Sequence, residues 1–125
     1  MDLIIGGAYQ GKLDYVLETY NIKKSDVLFC SDDAPINFDK KCIYGIEEFV
    51  MYCLRQGVSA KKFFEENREK WENCVFVCRE IFSGVVPVDA LLRSWRDETG
   101  RVLTQLSQNA DSVTRLFCGI PQKLK

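Results

Sequence analysis

The chain has 125 residues, 46% of them hydrophobic and 28% charged, with 17 basic against 18 acidic side chains. That size suits one domain with a real core spanning residues 1–125, and the balanced charge offers no footing for a nucleic-acid or membrane surface. Its apolar stretches are too short to cross a bilayer and no basic-then-apolar leader precedes Leu3, which reads as an intracellular, cytoplasmic protein. Leu3-Ile4-Ile5, ended by Gly6-Gly7, predicts a buried strand. Leu13, Val16, Leu17 and Tyr20 then follow the i, i+3, i+4, i+7 spacing of an amphipathic helix. Val27-Leu28-Phe29-Cys30 fits a strand covered on both faces, and Ser31 to Pro35 is a loop by composition. Ile46, Phe49, Val50, Cys53 and Leu54 return to helical spacing, closed by Gly57. Ser59 can cap a following helix through Phe63 and Phe64 to about Trp71. Cys74 to Cys78 is the strongest strand signal. Pro87 opens a long helix with Leu91, Leu92, Trp95, Val102, Leu103 and Leu106 on its buried side. Val113 to Cys118 is a last strand, followed by Gly119 and a basic tail. Strands alternating with helices of these lengths predict an α/β fold, a mostly parallel sheet flanked by helices.

The six cysteines lie mostly inside apolar runs such as Cys74-Val75-Phe76-Val77-Cys78, where a thiol behaves as a small hydrophobe. Without a Cys-x-x-Cys pair or any histidine, they read as buried free thiols in a reducing compartment rather than as disulfides or zinc ligands. The missing histidine also removes imidazole as base or nucleophile. Chemistry must then rest on carboxylates, lysine, arginine, metal or cofactor.

The segment GGAYQGKL, residues 6–13, carries the strongest functional signal. Gly6, four residues, then Gly11-Lys12 between a strand and a helix is the spacing of a phosphate-binding loop. In such a loop the backbone N–H groups of Gly7, Ala8, Tyr9, Gln10 and Gly11 surround a phosphate while the lysine adds a mobile cation. The position after the lysine should carry a hydroxyl for magnesium, and Leu13 offers a hydrocarbon instead. The bland alternative is a glycine turn with Lys12 solvated in the first helical turn. That leaves a lysine at the unfavourable end of the helix dipole without an explanation.

A nucleotide-using site also needs a carboxylate beyond a neighbouring strand, to bind magnesium through water or orient a nucleophile. Glu80 fits that position, and Asp32 with Asp33 offers a second; each could equally be an exposed loop acid. Arg93, Asp97 and Arg101 lie at i, i+4, i+8 on the long helix, either as a surface ion-pair ladder or with Arg93, Arg96 or Arg101 reaching an anionic ligand. Arg96 and Arg101 diverge by about 140° around the axis, too wide for one clamp.

The run from Arg79 to Lys125 resembles the adenosylcobinamide kinase/adenosylcobinamide-phosphate guanylyltransferase family. That family carries Glu-Val-Gly, Gly-x-Val-Pro, Arg-Asp-x-x-Gly-Arg, Ala-Asp-x-Val and Gly-Ile-x-x-x-x-Lys in order. Glu80, Gly84, Val86, Pro87, Arg93, Arg96, Asp97, Gly100, Arg101, Ala110, Asp111, Val113, Gly119, Ile120 and Lys125 match, and GGAYQGKL lies where the family has its Gly-Gly-x-x-x-Gly-Lys-Ser loop. The resemblance implies a P-loop NTPase-like three-layer domain, commonly assembled as a homo-oligomer. It also implies phosphorylation of the aminopropanol hydroxyl of adenosylcobinamide by ATP or GTP with Mg2+, and GMP transfer through a guanylyl-histidine. It would place Lys12 and the loop on the triphosphate and Glu80 at the active crevice.

Departures cluster on that site. The central segment is short, the region bearing the nucleophilic histidine is missing, and Leu13 replaces the magnesium-binding hydroxyl. Arg79 stands where shorter relatives place an acid, Phe82 replaces a glycine, and Leu103-Thr104 replaces Asn-Gln. Three readings follow. One is a kinase for a cobinamide-type alcohol; another is a nucleotide- or corrinoid-binding module without turnover; the third is a partner subunit whose loop is a relic.

Overall fold

A computed structural model describes residues 1–81 and 87–125. Phe82, Gly84 and Val86, used above in the family comparison, lie outside the described residues. The elements are β1 (Asp2–Gly6), α1 (Lys12–Thr19), β2 (Val27–Phe29), β3 (Cys42–Tyr44), α2 (Ile46–Gln56) and α3 (Ala60–Glu66). They continue with α4 (Arg68–Trp71), β4 (Val75–Arg79), α5 (Ala90–Asn109), β5 (Ser112–Phe117) and β6 (Ile120–Lys123).

The strands form one sheet in the order β2-β3-β4-β1-β5-β6. The first five run parallel, and β6 returns antiparallel to β5. Successive side chains alternate between faces, so each central strand feeds two cores. Along β4, Val75 and Val77 join Ile4, Val16, Val27 and Leu116 beneath α1. Phe76 and Cys78 join Leu3, Ile43, Phe49, Phe64, Trp71, Val102 and Leu106 on the opposite face. That second face is the larger one, covered by α2, α3 and α5, and it contains an aromatic nest. The Phe64 and Phe76 rings lie 5.6 Å apart, and the Trp71 indole N–H donates to the Phe64 carbonyl at 2.9 Å. Burying each such ring contributes about 1.5–3 kcal/mol. The result is the expected three-layer arrangement.

Helix ends follow local chemistry. Gly57, at φ 68, closes α2 in the left-handed conformation. Ser59 Oγ accepts from the Lys62 N–H at 3.2 Å to start α3. The helix expected to run on to Trp71 breaks at Asn67, giving α3 and α4. The long helix begins at Ala90, not at Pro87, because Asp89 Oδ1 accepts the Leu92 N–H at 3.0 Å and acts as the cap. Leu91 and Leu92 are correspondingly not buried, at 42% and 41% exposure. The buried stripe of α5 begins one turn later, near Trp95 and Thr99.

The outer strands depart from expectation in detail. β2 is an edge strand that ends at Phe29, which is 46% exposed, while Val27 is buried in the core under α1 and Leu28 packs against the core on the opposite face. β3 has no counterpart in the sequence reading; at three residues it is too short to show a period. The basic tail is β6, joined to β5 by Cys118 (φ 50) and Gly119 (φ 75), the paired positive dihedrals of a tight hairpin. All six cysteines are free; Cys42, Cys53, Cys74 and Cys78 are buried, while Cys118 is exposed. No described helix is long and apolar enough to cross a membrane.

Candidate phosphate-binding cleft

In an open parallel sheet the carboxyl ends of the strands frame the natural ligand crevice. Here the ends of β1, β3 and β4 open on a cleft of about 460 Å3. Ala8 to Asp14 line one side, and Tyr44, Gly45, Glu47, Val77 and Arg79 line the other.

The loop is shaped by its glycines and held by its neighbours. A Cβ on Gly6 would stand 2.8 Å from the Leu116 carbonyl oxygen of β5, and Gly11 sits at φ +80. Tyr9 also takes a positive φ of 59, at the exposed tip of the loop. Gln10 anchors the loop to the β5–β6 hairpin. Its carbonyl accepts the Gly119 N–H at 3.1 Å, and its side-chain Oε1 accepts the Cys118 N–H. The first backbone bond of α1 runs from the Tyr15 N–H to the Gly11 carbonyl at 3.0 Å. The N–H groups of Gly11, Lys12, Leu13 and Asp14 have no backbone acceptor among the described residues, which leaves the donor set of a helix N-terminus open to an anion.

Lys12 is 5% exposed, and its Nζ donates to the Gly7 carbonyl at 2.5 Å. A lysine solvated in the first turn does not describe it. Burial pushes its pKa below the ordinary lysine value; the nearby Glu47 charge opposes that shift and Arg79 adds to it.

Glu47 is the residue that sequence reasoning missed. It lies in the first turn of α2, 6% exposed. Its Oε2 accepts the Arg79 backbone N–H at 3.0 Å, and its carbonyl accepts the Trp95 indole N–H at 2.7 Å. The signal was present: Cys42-Ile43-Tyr44 running into Gly45 repeats the strand-then-glycine punctuation of Leu3-Ile4-Ile5-Gly6, and an acid follows in the first helical turn.

Other sequence-derived candidates stand elsewhere. Glu80 does not line the cleft. Arg115 holds it from β5, with Nε to Oε1 at 2.9 Å and a second bond to Oε2 at 3.2 Å. Asp32 pairs with Arg55 at 2.9 Å, and Asp33 accepts from Ser31 Oγ at 2.6 Å, both outside the cleft. Arg93 donates to the Val88 carbonyl at 2.6 Å. Arg101 pairs with Glu98, so the bond to Asp97 expected of a helical ladder is not made. Neither arginine nor Arg96 lines the cleft.

These positions decide how well the cleft suits magnesium. Leu13 gives no oxygen, and Glu80 and Asp32 are each committed to an arginine. Glu47 has one oxygen on the Arg79 amide, while Lys12 and Arg79 bring two positive charges to the same walls. This donor set does not fit a hard divalent cation.

A parallel sheet, a glycine-framed loop at the end of β1 and a buried lysine at the start of α1 define a P-loop NTPase-like α/β domain. Among protein-family models, residues 50–124 match Cobinamide kinase / cobinamide phosphate guanyltransferase. The chain belongs to that family, which serves cobalamin biosynthesis. The match runs from α2 through β6, so the loop of residues 6–13 precedes it. A search of curated proteins gave no match.

Proposed function

We propose that the cleft binds the polyphosphate of ATP or GTP and that the chain performs the kinase half of its family's chemistry, phosphorylating a cobinamide-type hydroxyl. The observation that carries this reading is Lys12, a buried cation bonded to the carbonyl of its own loop. Burying an ammonium is costly, and a single neutral carbonyl is a modest partner for it. A phosphate oxygen in the same position would be a stronger partner, and the amides at the start of α1 would share its charge. Phosphoryl transfer rests mainly on positioning and charge neutralisation, which this cleft's own residues supply. Guanylyl transfer through histidine has no residue to use, since the 125-residue sequence contains none.

A second reading is supported by Leu13 and by the Arg115–Glu80 pair, which together leave the expected acidic half of the site unavailable. On that reading the chain binds nucleotide or corrinoid without transfer, or completes an oligomer as a partner subunit. The test is incubation with cobinamide and γ-labelled ATP or GTP. Label appearing on cobinamide supports the kinase, nucleotide binding without transfer supports the second reading, and no nucleotide binding contradicts both nucleotide readings.

A further inference from the structure

We infer that Arg79 is a polyphosphate-binding residue of this cleft and takes over charge neutralisation from a metal, so that the chain prefers metal-free polyphosphate to the magnesium complex. The inference rests on the proposed nucleotide-binding reading and adds to it the form of the ligand.

Arg79 is the last residue of β4 and pairs in register with Gly6, where the loop begins. Alternation along β4 puts Arg79 on the face of Val75 and Val77, the face that α1 covers, and its side chain lines the cleft together with Lys12. Its backbone is pinned by the buried Glu47 carboxylate. Its guanidinium is different from those of Arg55, Arg101 and Arg115, which each hold a carboxylate. Among the described residues the Arg79 guanidinium makes no ion pair and no hydrogen bond. A half-buried guanidinium with no partner among the described residues, lining the same cleft as a buried lysine, is poised for an anion, and its planar fork can hold two phosphate oxygens at once.

The same charge works against magnesium. A divalent ion on the polyphosphate would have to approach two fixed cations while finding Leu13 where a hydroxyl should be. The acids of the cleft, Glu47 and Asp14, do not reverse this. Glu47 already accepts the Arg79 N–H, and Asp14 lies exposed on the first turn of α1. The nearby Glu48, on the turn beside Glu47, lies outside the cleft lining.

The test is calorimetric titration of the full chain with ATP, GTP and inorganic pyrophosphate, each in chelator and in excess magnesium. The expected result is saturable binding in chelator that magnesium leaves equal or weakens. Arg79→Gln should lose metal-free affinity by about tenfold or more, and Arg79→Lys should recover part of it. Thermal melts confirm that both variants are folded, and the wild-type magnesium comparison stands without them. Binding that requires magnesium, or Arg79→Gln binding as tightly as wild type, overturns the inference while leaving nucleotide binding intact. No binding under either condition overturns the nucleotide-binding reading, and the inference with it.

Discussion

Arg115 reaches Glu80 across β1 through two hydrogen bonds, at 2.9 and 3.2 Å, and holds it away from the cleft that its sequence position suggested. Glu80 directly follows β4 and Arg115 lies on β5, and these two strands flank β1 on either side. On β1, Ile5 is the register partner of Arg115, and the next residue, Gly6, accepts the Glu80 N–H at 2.9 Å. Glu80 is 12% exposed and Arg115 45%, a partly solvated pair whose worth is modest. Glu80→Gln should therefore cost about 1 kcal/mol or less of stability by urea denaturation and leave nucleotide affinity unchanged. A large loss of affinity would return Glu80 to the site.

Lys12 carries a cost of burial that pH should modulate. Its charge is buried and its pKa lies below the ordinary value of 10.5. In the native state it releases its proton at a lower pH than in the unfolded chain, so its burial cost is present at neutral pH and is relieved as pH rises toward 10.5. Lys12→Met should be at least as stable as wild type at pH 7 in the absence of nucleotide, with its advantage shrinking by the upper end of that window. Melts of both proteins across that range check it; a variant less stable at neutral pH, by a margin that pH leaves unchanged, would contradict the argument.

Two glycines separate close approach from mere helix content. At Gly6 an added Cβ meets the Leu116 carbonyl at 2.8 Å, and a backbone atom cannot swing aside. Gly6→Ala should cost about 1–3 kcal/mol. Gly100, inside α5, has nothing within 4 Å of such a Cβ, so Gly100→Ala should be neutral or stabilise by up to about 1 kcal/mol. Denaturant midpoints of the two variants give the comparison directly.

The thiols should divide by burial. Cys42 lies in the core and its pKa is pushed up to about 12 by burial, as is that of Cys30. Cys118 is the exposed thiol among the six. An aromatic disulfide reagent at pH 8 should modify one cysteine rapidly in the native protein and the other five only on unfolding. A second fast thiol would place Cys30 closer to solvent than described.

The sequence carried the central strands and the loop clearly, because Leu3-Ile4-Ile5, Cys74 to Cys78 and Gly6-x4-Gly11-Lys12 each combine composition with punctuation. What it hid was short or dependent on pairing. β3 is three residues long, and without it nothing in the sequence sets Glu47 at the end of a strand. β6 exists because Cys118 and Gly119 turn the chain back onto β5, and nothing in Ile120 to Lys123 alone announces a strand. The exposed Leu91 and Leu92 sit on the apolar stripe of α5, but they come before the turn where that helix meets the sheet. Glu80 follows β4 directly, as the strand signal of Cys74 to Cys78 indicates; its engagement by Arg115 depends on a strand adjacency that sequence order does not display.

If Lys12 and its loop hold a nucleotide polyphosphate, removing the ammonium must weaken nucleotide binding. Equilibrium titration of wild type and Lys12→Ala with ATP and GTP tests it most directly. Saturable binding by wild type, weakened about tenfold or more in a variant that keeps its fold, is the predicted result. Absence of binding, or equal affinity in the two proteins, would contradict it.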